Sequence, residues 1–274
     1  MEKKVIQGIE TVQGAETTQD TEKIQDTEKI QDAEIVEGEE MIQDVEPSLG
    51  GREQQAAYPP VMANFFAESR QFEELMMMYE CAIREVQTKL EILDREFSVR
   101  YKRNPISSIE SRVKSPMSIY RKLQKHNLPV NVKNIVRNLN DVAGIRVICN
   151  FIDDIYDLVK MVARQDDLRV VSIKDYIRHP KENGYRSYHM IVEVPVFFSR
   201  AKQIMRVEIQ IRTIAMNFWA SLEHQIRYKK DIENMDGIDQ ISQELFEAAE
   251  IIAQTDQKMQ AIKNKIDEVT EISV

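Results

Sequence analysis

The chain has 274 residues, 42% of them hydrophobic, and a formal net charge of −9, which suits one substantial buried core with helical additions. Two cysteines, Cys81 and Cys149, exclude a disulfide framework and lack metal-ligand spacing. No stretch approaches the ~18–20 apolar residues of a membrane span, and the first residues lack a signal-peptide core, so the expectation is a cytoplasmic protein with no membrane partner.

The charge is unevenly placed. Residues 1–55 carry 15 acidic and 5 basic side chains, a net of −10, which leaves +1 for the remainder. The low pI is therefore a property of the N-terminal segment. Within 100–146 there are 11 Lys or Arg against Glu110 and Asp141, whereas 231–271 holds 11 acidic and 3 basic residues. That pattern predicts an anion-binding region flanked by acidic helices.

In chain order, residues 21–44 repeat a six-residue unit, Thr-Glu-Lys-Ile-Gln-Asp, with apolar residues at Ile24, Ile30, Val36 and Ile42. A six-residue step advances about 600° around a helix and builds no apolar face. Residues 1–58 are accordingly expected to be an acidic, disordered tail, with 59–274 as the folded domain.

From Phe72 the spacing changes to Phe72, Met76, Tyr79, Ile83, Val86, Leu90, Leu93 and Phe97, which predicts a long amphipathic helix. Ser115-Pro116 caps and opens a helix to about His126, and Asn131 caps a short one reaching Leu139. A strand over 143–151, a helix over 153–163 and a strand over 169–174 follow. Asn183-Gly184 signals a tight turn before a strand near 185–196, and another strand covers 203–212. There Met205, Val207, Ile209 and Ile211 alternate with Arg206, Glu208, Gln210 and Arg212, so one face is core and the other is polar and lines a cleft. A helix over 213–229 carries Ile214, Phe218, Leu222 and Ile226 on one side. A second long stripe runs from Ile238 to Val269, and both long stripes are expected to pack on the core and to add subunit contacts. The fold class is α+β, a mixed sheet with helices around it.

The region after residue 56 contains only Gly144, Gly184 and Gly237, so P-loop and Rossmann phosphate cradles are excluded. Phosphates would have to be neutralised by side chains and a metal. Ser118, Lys122 and Lys125 share a helix face, with Arg112 and Lys114 just before the helix N-terminus. Asp141 and Glu208, brought together by sheet pairing, could hold Mg²⁺ against a triphosphate. Taken singly, each has a plainer reading as a cap or a salt-bridge partner, and a basic helix face is usually solvated surface.

The segments Arg112-x-Lys114-x-x-x-Ser118-x-x-x-Lys122, Asp141-Val-Ala-Gly-Ile-Arg146, Asn183-Gly-Tyr185-Arg-Ser-Tyr-His189, Glu208-Ile-Gln-Ile-Arg-Thr213 and Trp219-Ala-Ser-Leu-Glu223-His resemble the synthetase domain of the RelA/SpoT family, most closely its small alarmone synthetases of RelQ type. The resemblance covers roughly residues 61–270. It implies a nucleotidyltransferase-like fold and Mg²⁺-dependent transfer of the β,γ-pyrophosphoryl group of ATP to the 3′-hydroxyl of GDP or GTP, the GTP pyrophosphokinase reaction that makes (p)ppGpp in the stringent response. By the same resemblance Arg112 and Arg146 would sandwich adenine, and Lys114, Ser118, Lys122 and Lys125 would grip the ATP phosphates. Tyr185 would stack on guanine, with Lys181 and Asn217 near the acceptor and His189 near its phosphates. Asp141 and Glu208 would bind the metal, and Glu208 would also accept the 3′-hydroxyl proton.

The four histidines are followed by Asn127, Pro180, Met190 and Gln225, so the His-Asp pair of the family's hydrolase domain is missing, and a synthetase without hydrolase activity is implied. The resemblance also implies a homotetramer, an alarmone effector and binding of single-stranded RNA, for which the basic stretch 100–103 is a contributor to consider. Two alternatives stand beside this reading: a toxic small alarmone synthetase that modifies tRNA or makes adenine alarmones, and a catalytically silent RNA-binding or scaffold protein on the same fold.

Overall fold

A computed structural model describes residues 34–35, 69–229 and 238–271. Apart from residues 34 and 35, the six-residue repeat and the acidic segment lie outside these residues, as does Gly237. Within the segment only the two-residue strand β1 (Glu34–Ile35) is described, paired in parallel with a later strand. The other elements are α1 (Arg70–Tyr101), β2 (Ile106–Val113), α2 (Pro116–Lys125), α3 (Val132–Asn138), β3 (Ala143–Cys149), α4 (Ile152–Ala163), β4 (Arg169–Asp175), β5 (Tyr188–Phe197), β6 (Lys202–Thr213), α5 (Ile214–Lys229) and α6 (Ile238–Glu271).

The sheet runs β1-β4-β5-β6-β3-β2. β6 and β3 pair in parallel at its centre, and the β2–β3, β5–β6 and β4–β5 pairs are antiparallel. This is the expected mixed α+β architecture. Met205, Val207, Ile209 and Ile211 of β6 are buried in the main core, as the period-two alternation demands. They meet Phe72, Tyr79, Ile83, Val86, Leu90 and Leu93 of α1 in the same cluster. The α1 stripe thus packs on the protein's own sheet, as expected. Ser69 caps α1 by accepting a hydrogen bond from Phe72 N at 3.3 Å.

Three features go beyond what the sequence specifies. The strand β2 was not foreseen, because its sequence Ile-Ser-Ser-Ile-Glu-Ser-Arg-Val is too polar for a strand signal, as suits an edge position. Asn183-Gly184 forms the expected turn, but the strand after it begins later, at Tyr188. β4 ends at Asp175 and β5 starts at Tyr188, and the turn lies inside the long connection, with Gly184 N donating to Lys181 O at 2.8 Å. Finally, Ile214, Phe218, Leu222 and Ile226 form the outer side of α5, each 43–57% exposed, while Met216, Trp219, Ala220 and Glu223 form its buried side.

The start of α5 is fixed from two sides. Thr213 Oγ1 accepts from Met216 N at 3.1 Å and donates to the buried Asp256 of α6 at 2.6 Å. Higher up α6, Trp219 Nε1 donates to Leu245 O at 3.0 Å. Gly184, at φ +84°, abuts this helix so closely that an added Cβ would sit 2.5 Å from Ala249 Cβ.

Two penalties therefore meet at Gly184, a left-handed backbone and a steric overlap. Gly184→Ala should lower unfolding stability by about 1–3 kcal/mol, and adding Ala249→Gly should recover only the steric share. Equal denaturant midpoints for wild type and the single variant would show that α6 does not press on this turn.

Candidate functional site

The polar face of β6 is the floor of the site. Register places side chains in rows across three strands: Arg112, Gly144 and Glu208 in one, and Glu110, Arg146 and Gln210 in the next, which continues to His189 of β5. Directly paired residues share a face of the sheet. Residues separated by up to about a hundred positions are thereby brought to one surface, and the expected meeting of the 112, 146 and 208 segments is observed.

Asp141 stands two residues before β3. Its Oδ2 accepts from Lys114 Nζ at 2.8 Å and from Lys122 Nζ at 2.7 Å. Burial pushes the carboxyl pKa up, and the two ammonium groups reverse this and hold it well below the usual carboxylate range. The other oxygen, Oδ1, is buried and has no hydrogen-bond partner. Lys114 is set by its backbone, whose N–H donates to Val142 O at 2.8 Å. Lys122 rides on α2, which begins where Ser115 Oγ accepts from Ser118 N at 3.3 Å. Ser118 Oγ in turn accepts from Ser115 Oγ at 3.0 Å. Lys125 is exposed at the C-terminal end of α2 and makes no contact with Asp141.

Glu208 is 4% exposed. Gln210 Nε2 donates to its Oε2 at 3.0 Å, and His189 Nδ1 lies 3.4 Å from its Oε1, a charge contact without hydrogen-bond geometry. Burial raises the Glu208 pKa, but His189 outweighs it and the carboxyl stays below its ordinary value; Asp141 is near enough to push in the opposite direction. His189 responds with a raised pKa, because the charges of Tyr185 and Glu208 overcome its own burial.

These two carboxylates fit a hard divalent cation. Among the described residues no three His, Cys, Asp or Glu side chains gather as a metal site, so a cation here would take only part of its shell from protein and the rest from phosphate oxygens and water, as Mg²⁺ commonly does. The partnerless buried Oδ1 of Asp141 is an oxygen that such an ion would satisfy.

The third part of the site is aromatic. Tyr185 follows Gly184, and its N–H donates to Asn183 Oδ1 at 3.2 Å, while Asn183 Nδ2 donates to Glu223 of α5 at 3.3 Å. The ring is only 6% exposed. Lys181 Nζ and Arg212 Cζ each lie about 5 Å from its centroid, at 5.1 and 5.0 Å. The hydroxyl accepts from Arg212 Nη2 at 2.5 Å and pairs with His189 Nε2 at 2.9 Å. Burial would raise its pKa, yet Arg212 and His189 draw it down to about 7. Burial, with the like charges of Lys174 and Arg212, lowers the Lys181 pKa against the opposing pull of Tyr185 and Glu208. Asn217 of α5 has a buried Oδ1 with no hydrogen-bond partner.

Two further residues join this surface. Arg212 shares the phase of Glu208 in the β6 alternation, on the face expected to line a cleft. His224 ends the Trp219–His224 segment, to which the sequence assigns no role for it, and is placed by α5, where burial and the charges of Arg146, Arg112 and Arg212 lower its pKa.

Comparison with known proteins agrees with this geometry. Residues 111–233 match the family described as a region found in RelA / SpoT proteins. The chain is 45% identical over 192 residues to the GTP pyrophosphokinase YwaC of Bacillus subtilis, covering 70% of this chain and 90% of that one. It is 33% identical over 201 residues to the GTP pyrophosphokinase YjbM of the same organism, covering 73% and 92%. Among solved structures, small alarmone synthetase 2 from Bacillus subtilis superposes with a TM-score of 0.64 at 42% identity, over 72% of this chain and 100% of that chain. Small alarmone synthetase 1 from Bacillus subtilis, bound to its product pppGpp, gives 0.65 at 33% identity, over 72% and 99%. With the same fold and a relative this similar matched along nine-tenths of its length, the chain belongs to the RelA/SpoT family.

Proposed function

We propose that this protein is a GTP pyrophosphokinase that transfers the β,γ-pyrophosphoryl group of ATP to the 3′-hydroxyl of GDP or GTP, yielding AMP and (p)ppGpp. The new bond joins the 3′-oxygen to the β-phosphorus, the bond from that phosphorus to the oxygen bridging to the α-phosphate breaks, and the hydroxyl proton passes to a base. The observation that carries the reading is a pair of carboxylates, Glu208 buried and Asp141 nearly so, with Lys114 and Lys122 on Asp141. A silent scaffold has no use for buried charge of this kind, which is costly to keep.

Asp141 and Glu208 would hold a divalent cation, Mg²⁺ in this reading. Bound there, it would neutralise charge on the phosphates and acidify the attacking hydroxyl. Arg112 and Arg146 would flank the adenine, while Lys114, Ser118 and Lys122 would meet the phosphates at the start of α2. The exposed Lys125 fits a role at the outer end of the triphosphate. Glu208 is ionised at neutral pH and can take the 3′-hydroxyl proton, although its lowered pKa suits orientation better than strong proton abstraction. Lys181, His189 and Asn217 border Tyr185 or lie on α5 beside it and would contact the acceptor. Because the Tyr185 ring is covered by Lys181, stacking on guanine requires that lysine to move aside.

We also infer self-association, as a homotetramer by the family resemblance. The surfaces that support it are the outer side of α5 and the distal half of α6, where Met259, Ile262, Ile266 and Val269 are 49–66% exposed. The stretch 100–103 is a weak candidate for RNA contact, since Arg100 pairs with Glu96 at 2.9 Å and Arg103 with Asp154 at 2.5 Å. Among the described residues no helix is long and apolar enough to cross a membrane, and a cytoplasmic location remains the expectation.

Incubating the purified chain with labelled ATP, Mg²⁺ and, separately, GDP, GTP, GMP or tRNA tests the reaction directly. Product on tRNA but none on guanine nucleotides would favour the toxic alternative. Asp141→Asn and Glu208→Gln should each reduce turnover by about 10² or more, given the magnitude of electrostatic terms in phosphoryl transfer, with chelation of the divalent ion giving the same loss.

Tyr185→Ala should raise the acceptor KM by about 10- to 100-fold, as expected for about 1–3 kcal/mol of base stacking. Tyr185→Phe separates the ring from its hydroxyl, and a normal acceptor KM in the alanine variant would remove Tyr185 from the site.

For the assembly, light scattering should give a multiple of 32.0 kDa. Phe218→Glu with Leu222→Glu should reduce that mass while leaving the circular dichroism spectrum intact. A wild-type mass near a single chain overturns the inference.

A further inference from the structure

We propose that Lys114 and Lys122 hold Asp141 in reserve, so that a divalent cation gains this carboxylate only when a nucleotide triphosphate draws the two ammonium groups away. The proposal rests on the reading of Asp141 as a metal ligand given above. Its physical basis is the sharing of one oxygen: both Nζ atoms lie within 2.8 Å of Oδ2. Two ammonium groups thus bear on one carboxylate oxygen. A dication approaching the remaining oxygen, Oδ1, would meet two close cations in a site where water screens little. The Asp141 and Lys114 side chains are nearly buried, and that of Lys122 is 15% exposed. Charge repulsion, not a shortage of oxygen atoms, thus keeps the cation out.

A triphosphate reverses the balance. Its oxygens are the natural partners of lysine; Lys114 stands just before the N-terminal turn of α2, where backbone N–H groups also favour anions, and Lys122, in the last turn of that helix, reaches the same carboxylate oxygen. Each lysine can exchange a carboxylate contact for a phosphate contact without losing an anionic partner. Asp141 then regains both oxygens, in the presence of the phosphates that complete the metal's shell. Metal and nucleotide affinities become linked, and by reciprocity each strengthens the other. Lys114 and Lys122 are on this view positioning residues for the metal as well as phosphate ligands.

The test uses the full chain without nucleotide and Mn²⁺ alone as the probe, with free Mn²⁺ read by electron paramagnetic resonance. Wild type and Asp141→Asn should bind Mn²⁺ equally weakly, because Asp141 is not offered to it. Lys122→Met should tighten Mn²⁺ binding by about tenfold or more, and Asp141→Asn added to that variant should abolish the gain. Lys114→Met is the second probe, and Lys122→Gln serves if the methionine variant fails to fold. Tight binding by wild type that is lost in Asp141→Asn would overturn the proposal, since the site would then be open from the start. Equal affinity in all the proteins would overturn it as well. A failed pyrophosphokinase assay is a separate result that bears on the proposed reaction, since this titration involves no turnover.

Discussion

Two neighbouring carboxylates, Glu208 buried on β6 and Asp141 nearly buried just before β3, form the constraint around which the rest of the site is organised. A buried ionised group without compensation is too costly to keep, so each carboxylate fixes its neighbours. Asp141 takes two lysines, one from the end of β2 and one from α2. Glu208 is compensated by His189 from β5 and Gln210 from its own strand. Through His189 the network reaches Tyr185 and Arg212. The central parallel pairing of β3 and β6 is what brings these anions together. The α1 stripe packed on the opposite face supplies the apolar burial that holds the sheet in place.

Much of this was legible in the sequence, and the reasons differ by element. The β6 alternation of apolar and polar residues determined both its core face and its site face. The Ser115-Pro116 cap located α2, and with it Lys122. The edge strand β2 was illegible because half its side chains face solvent or the site, so its serines and charged residues imitate a loop. The outer side of α5 was legible as a stripe, but sequence periodicity does not say which way a stripe points. Its buried side, with Trp219, Ala220 and Glu223, is mixed in polarity because it supports the loop that carries Tyr185 instead of a purely apolar core.

The loop that carries Tyr185 shows why local signals were insufficient. Asn183-Gly184 is a strong turn signal and a turn does form, yet its place in a long connection is imposed from behind. Ala249 meets Gly184, Arg186 donates to Glu250 at 2.8 Å, and Glu223 receives Asn183. All three supports come from α5 and α6, at least 40 residues further along the chain. A separation of that size is tertiary information, which no window of the sequence contains.

Gly144 occupies the row between Arg112 and Glu208. Its backbone is not left-handed, and an added Cβ would meet only Arg112 O, at 3.9 Å, an ordinary contact. Neither conformation nor packing within the protein asks for glycine there. What its lack of a side chain provides is a flat, shallow patch of sheet bordered by a guanidinium on one side and a carboxylate on the other. A methyl group at that point would stand up under whatever lies across the strands. What glycine leaves at that point is open space above the β3 backbone, between Arg112 and Glu208.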